Sequence, residues 1–166
     1  MVATKTARED TSAARPSGST SAGADYDGDF YTWSLEQAAL LRAGRLSELD
    51  LENVAEEIES LGNEQFSKLQ SAYRVILMHM LKWDQQPERR TRSWAVSIAT
   101  QRFDVDDVLR RNPGLKSRLQ EALDGAYRRA RIEAADQTDL PFKRFSVECP
   151  YSVDEVMTRA FEWPDA

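Results

Sequence analysis

One apolar phase runs through the middle of this sequence and constrains its fold more than any other feature. On a helical wheel, Leu51, Val54, Ile58, Leu61, Leu69, Ala72, Ile76, Met80 and Trp83 fall within a single stripe about 100° wide. A strand repeats every two residues, so a stripe with helical period held from 51 to 83 predicts α-helix. Gly62 lies inside the stripe, where glycine costs about 1 kcal/mol relative to alanine. It marks either a kink or a close helix–helix approach. The unbroken phase favours one rod, roughly 50 Å long at about 1.5 Å per residue, whose apolar side the later segments cover.

Shorter helices flank this rod. Ser34 and Gln37 have capping-box spacing, and "LEQAALLRAG" reads as a helix ending at Gly44. Pro87 suits the first turn of a second stripe through Trp94, Ile98, Gln101, Val105, Val108 and Leu109, which ends at "RNPG". A third stripe, Leu115, Leu119, Ala122, Leu123, Ala126 and Ala130, stops before "DLP". Residues 139–151 carry two prolines and read as extended. Ser152 and Glu155 then open a last short helix through Val156, Met157, Ala160 and Phe161. No strand-turn-strand signal or repeat occurs. The expected fold is all-α, a bundle of four to five helices built round the long central one, forming a single domain over residues 25–166. Residues 1–24, rich in Ser, Thr, Ala and Gly, read as a disordered tail.

Charge is unevenly distributed. Residues 25–64 hold eleven acids against two arginines, a balance of −9. Residues 82–131 hold twelve bases against seven acids, +5, and residues 132–166 eight acids against three bases, −5. Acidic and basic helices lying side by side would account for this. The overall −6 argues against nucleic acid, which needs unpaired positive charge on one surface. No window is apolar enough for a transmembrane helix. The first residues lack the apolar run of a signal peptide and carry Glu9 and Asp10. Cys149, the sole cysteine, excludes an internal disulfide and a thiolate zinc site. A cytoplasmic location is therefore expected, with no membrane association.

"HMLKWDQQPERRTRSW", residues 79–94, is the densest cluster of chemistry-bearing side chains, with the only histidine and two of the four tryptophans. A helical metal site needs converging ligands such as Glu-x-x-His on two helices. That motif is missing around His79, and the "EEIE" carboxylates at 56–59 point from different faces, so neither metal nor cofactor is expected. No G-x-S-x-G accompanies a nucleophile, and no catalytic residue is assigned. His79 and Trp83, four apart, share a helical face at the edge of the stripe. Arg89, Arg90 and Arg92 open the next helix, the end whose dipole favours acids, so they answer some other group. Arg102 is placed to reach Glu59 or Glu64. Arg89 and Arg92 are expected to meet acids of "DYDGDF" or of the C-terminal segment.

The same residues carry a resemblance. "YDGDFYTWSLEQAALLRAG", "LDLENVAEEIESLG", "HMLKWDQQPERRTRSW", Gln101-Arg102 and "CPYS" at 149–152 resemble, in this order, the bacterial family termed domain of unknown function 29. The likeness covers roughly residues 25–164. It implies a helical, four-helix-like bundle and no known activity. Met80 stands where leucine is expected, a swap of similar volume.

Two functions fit. The first is a cytoplasmic helical module for protein interaction or regulation, without catalysis, as monomer or homodimer. The second is a small enzyme or anionic-ligand-binding protein. Its polar cluster of Glu57, Glu59, His79, Trp83, Arg89, Arg92 and Arg102 would line an inter-helix pocket, with arginine gripping the anion and His79 moving a proton.

Overall fold

The computed structural model describes residues 24–162 of this chain, and the expected tail lies outside them apart from Ala24. Among the described residues the α-helices are α1 (Phe30–Ala43), α2 (Leu51–Gln85), α3 (Arg92–Arg111), α4 (Leu119–Thr138) and α5 (Val153–Thr158). Among the described residues there is no strand, and no helix is long and apolar enough to cross a membrane. The chain divides into two compact units, one ending at Ala55 and the other beginning at Glu56.

The first unit is organised by Asp29 and Asp50. The Asp29 carboxylate accepts the Thr32 N–H at 3.0 Å and caps α1. The helix therefore starts five residues earlier than the Ser34 capping box predicted, and the Ser34 hydroxyl donates instead to the Tyr31 carbonyl. Gly44 ends α1 in the left-handed region at φ 70°, as glycine permits. Asp50 caps α2 by accepting from the Asn53 N–H, and it also accepts from Trp33 Nε1 at 3.3 Å. Trp33 is buried against the Tyr26 and Phe30 rings.

The second unit is a helical bundle. Its core joins Leu69, Tyr73, Ile76, Leu77 and Met80 of α2 with Ile98 and Val105 of α3, and with Leu123, Ala126, Tyr127 and Ala130 of α4. Phe145, Tyr151 and Val156 from the C-terminal segment complete it. Gly125 permits close packing here, since a Cβ at that position would run into the Gln70 amide.

Helix α2 is continuous through Gly62, where a Cβ would meet nothing within 4 Å, so neither a kink nor a close approach among the described residues explains this glycine. The covered side of the rod differs from expectation. Burial begins at Leu69, and Leu51, Ile58 and Leu61 remain 64%, 64% and 62% exposed. Apolar phase fixes which way a residue faces but not whether a neighbour is there to meet it.

Two boundaries also shift. Pro87 begins a single 3₁₀ turn, Pro87–Arg89, and α3 starts only at Arg92. Residues 139–151 are not simply extended, because Phe142–Arg144 form another such turn. The Ser152–Glu155 capping box forms as the sequence predicts, but α5 ends at Thr158 and leaves Ala160 and Phe161 beyond it.

Candidate functional site

A helix leaves its last carbonyls without partners inside the helix, and they carry the negative end of its dipole. Three helix ends in the second unit are completed by side chains from elsewhere in the chain, all within or next to the polar cluster. Arg90 Nε donates to the Trp83 carbonyl at 2.9 Å, at the end of α2, with its guanidinium over the Trp83 ring. Buried Gln86 donates through Nε2 to the Thr138 carbonyl at 3.0 Å, the last residue of α4. Arg102 reaches α5, with Nε 2.8 Å from the Val156 carbonyl and Nη2 2.9 Å from that of Arg159. Arg102 thus does not meet Glu59 or Glu64, because the orphaned carbonyls of α5 offer its planar fork two acceptors at once.

The acid that the C-terminal segment engages is Asp84, and the base is Arg159. Its guanidinium grips Asp84 at 2.9 and 2.5 Å, while the Tyr151 hydroxyl donates to the same carboxylate at 2.8 Å. Burial raises the Asp84 pKa, but the bonds from Arg159 and Tyr151 outweigh it and the net shift is downward. Phe161 packs edge-on against Trp83 at 5.4 Å and lies under Arg102 and Arg159. Trp83 and Arg102 are therefore brought together around one aromatic ring.

His79 belongs to a different group. Its ring lies 6.4 Å from Trp94 and its Nδ1 is buried without a hydrogen-bond partner. Burial, with the charge of Lys82 adding, pushes its pKa down to about 4. Lys82 is itself buried, with its ammonium over the Trp94 ring and donating to Gln137 Oε1 at 2.8 Å. Glu59 lies on α2 twenty residues before His79, roughly 30 Å away by helical rise, and Glu57 is farther still. Arg89 is exposed in the 3₁₀ turn and Arg92 opens α3. The seven candidates therefore do not line one void.

Among the described residues, no three His, Cys, Asp or Glu side chains gather as a metal ligand set. Burial pushes the Cys149 thiol up, away from the reactive thiolate. A groove of about 430 Å³ lies between α2 and α3 and is lined by residues including Glu64, Ser67, Lys68, Gln101 and Asp104. None of the seven candidates lines it.

The family model for Domain of unknown function DUF29 matches residues 26–162. The chain belongs to the DUF29 family. None of the curated proteins compared matches it, and neither does any of the solved structures. In this DUF29 domain, the sequence singles out Trp83 and Arg102, and Arg90 as one of three cations in need of a partner, but not Lys82, Asp84 or Arg159. One signal was available: Arg90 and Gln86 both follow closely on the end of a long helix, where carbonyls need donors.

Proposed function

We propose that this chain is a cytoplasmic protein-interaction module without catalytic activity, and that its polar cluster is scaffold. One observation carries this reading. Arg90, Gln86 and Arg102 spend their donors on backbone carbonyls at helix ends, while large apolar side chains stand exposed on α2. An enzyme of this size needs a nucleophile, acid or base facing a void. Here His79 is held neutral among aromatic and apolar neighbours, and Asp84 is locked by two donors. The exposed apolar residues are the part of the molecule with unspent binding energy.

The reading is tested by affinity capture from native cytoplasm, comparing the wild-type chain with Ile58→Asp/Leu61→Asp and with His79→Gln. A specific protein retained by wild type and His79→Gln, and lost from the double variant, is the expected result. A turnover activity of the purified chain that disappears in His79→Ala, with the melting temperature unchanged, would overturn it.

A further inference from the structure

In the second unit, α2 runs from Glu56 to Lys68 before its first buried side chain, Leu69. Thirteen helical residues without a buried side chain are marginal, because helices of this length draw most of their stability from packing. Yet Ile58 and Leu61 continue the phase that Leu69, Ala72 and Ile76 use for the core. The bundle's own cover reaches back only as far as half-buried Phe66, over whose ring the Arg118 guanidinium sits at 3.9 Å. Upstream of Phe66, neither Ile58 nor Leu61 joins the core.

The borders of this face are acidic on both sides. Taking Ile58 as the centre, Glu59 lies about 100° to one side, and Glu57 and Glu64 about 100° and 120° to the other. Residues 56–64 contain four acids and no base; the nearest cation, Lys68, meets Glu64 one turn on at 3.3 Å in an exposed bridge that contributes little and can be exchanged for a partner's cation. A second copy of the chain would set acidic rim against acidic rim, whether the two helices ran parallel or antiparallel. Two exposed apolar side chains also offer far less than the roughly 800 Å² per partner of a standing interface. Gly62, open on this face and met by nothing among the described residues, leaves room for a backbone to come close. These features together fit a single helix laid along two turns of α2.

We propose that residues 56–65 of α2 dock an amphipathic helix of a partner protein whose apolar seam is flanked by lysine or arginine. This rests on the interaction reading above and names the chemistry of the partner. Apolar contact with Ile58 and Leu61 supplies the seat, and cations opposite Glu59 and Glu64 supply selectivity and rate.

The test uses the full chain and two synthetic helical peptides with one leucine–isoleucine seam, flanked by lysine in one and by glutamate in the other. Binding is followed by fluorescence anisotropy and self-association by sedimentation velocity. The lysine peptide binds, its dissociation constant rises roughly tenfold from low to high salt, and the glutamate peptide does not bind. Ile58→Asp/Leu61→Asp loses at least about tenfold in affinity with an unchanged melting temperature, since both side chains are exposed. Glu59→Lys/Glu64→Lys reverses the preference between the peptides. Equal binding of both peptides, no binding of either, insensitivity to the Ile58/Leu61 change, or a dimer that this change dissolves would each overturn the proposal. If neither peptide binds but captured protein is still lost from the Ile58/Leu61 variant, the basic helix is wrong and the interaction reading stands.

Discussion

Arg102 shows how much an individual side chain carries in this fold. Its two N–H groups meet two carbonyls of the α5 end at 2.8 and 2.9 Å, a charge-assisted pair in a partly buried setting. Arg102→Met should lower stability by about 2 kcal/mol, read by urea unfolding. Arg102→Lys should recover less than half of that, because a point charge cannot span two acceptors with fixed fork geometry. Full recovery by lysine would show that charge alone matters. His79 makes a separate prediction. Its folded pKa of about 4 lies below the ordinary 6.5, so the unfolded chain takes up a proton first as pH falls. Stability contributed by neutral His79 is complete above about pH 6.5 and is lost progressively down to about pH 4. With one histidine in the sequence, the upper part of that window is free of other side-chain titrations. Wild type should lose about 1–2 kcal/mol across it, allowing for solvent screening, and His79→Gln should stay flat. A wild-type curve equally flat would place the histidine in water. From the sequence, His79 and Trp83 could be put on one helical face, because period alone decides that. That Arg90 rather than Arg89 would turn back onto Trp83 could not, since adjacent arginines differ only in where a tertiary acceptor happens to lie.

Helix α2 is the element on which prediction from period succeeds and fails in turn. Its extent, Leu51–Gln85, follows from the stripe and the proline at 87. The cover over the stripe does not follow, because a neighbour's length is set by its own caps. The Pro113–Arg118 turn and the start of α4 at Leu119 decide how far the bundle reaches along α2, and Phe66 is where that reach ends. Gly62 is the sharpest test at this level. It sits inside a helix, with open space where a Cβ would go and no positive φ. Gly62→Ala should therefore stabilise the free protein by about 1 kcal/mol, raising the thermal midpoint by several degrees. A loss of stability would mean that α2 is broken or closely packed at this point. The start of α1 differs from the expected one for a related reason: Asp29 and Ser34 are both competent caps, and the aromatic packing of Trp33 selects the earlier one.

Across the whole molecule, the uneven charge does not resolve into acidic and basic helices joined by ion pairs in the way their balance invites. Among the described residues, the bridges Arg74–Glu133 and Asp84–Arg159 tie α2 to α4 and to the segment after α5, and neither involves residues 25–64. Several others join residues three or four apart, at exposed positions where such pairs contribute little. Within the acidic stretch, Glu48 pairs with Arg45 and Glu64 with Lys68, both in exposed bridges of this short-range kind. Fold class and element order are consequences of local period and composition, whereas the partners within the polar cluster are set by tertiary acceptors that period does not encode. The exposed face of α2 depends on which surfaces find no partner among the described residues. Amide hydrogen exchange of the intact protein, alone and with the lysine-flanked peptide, tests this most directly. The account predicts that amides of residues 56–64 exchange fast in the free chain and become protected when the peptide binds, while those of residues 69–85 are slow in both. Equal protection of the two stretches in the free chain, or peptide protection appearing around His79 and Arg102 instead, would contradict it.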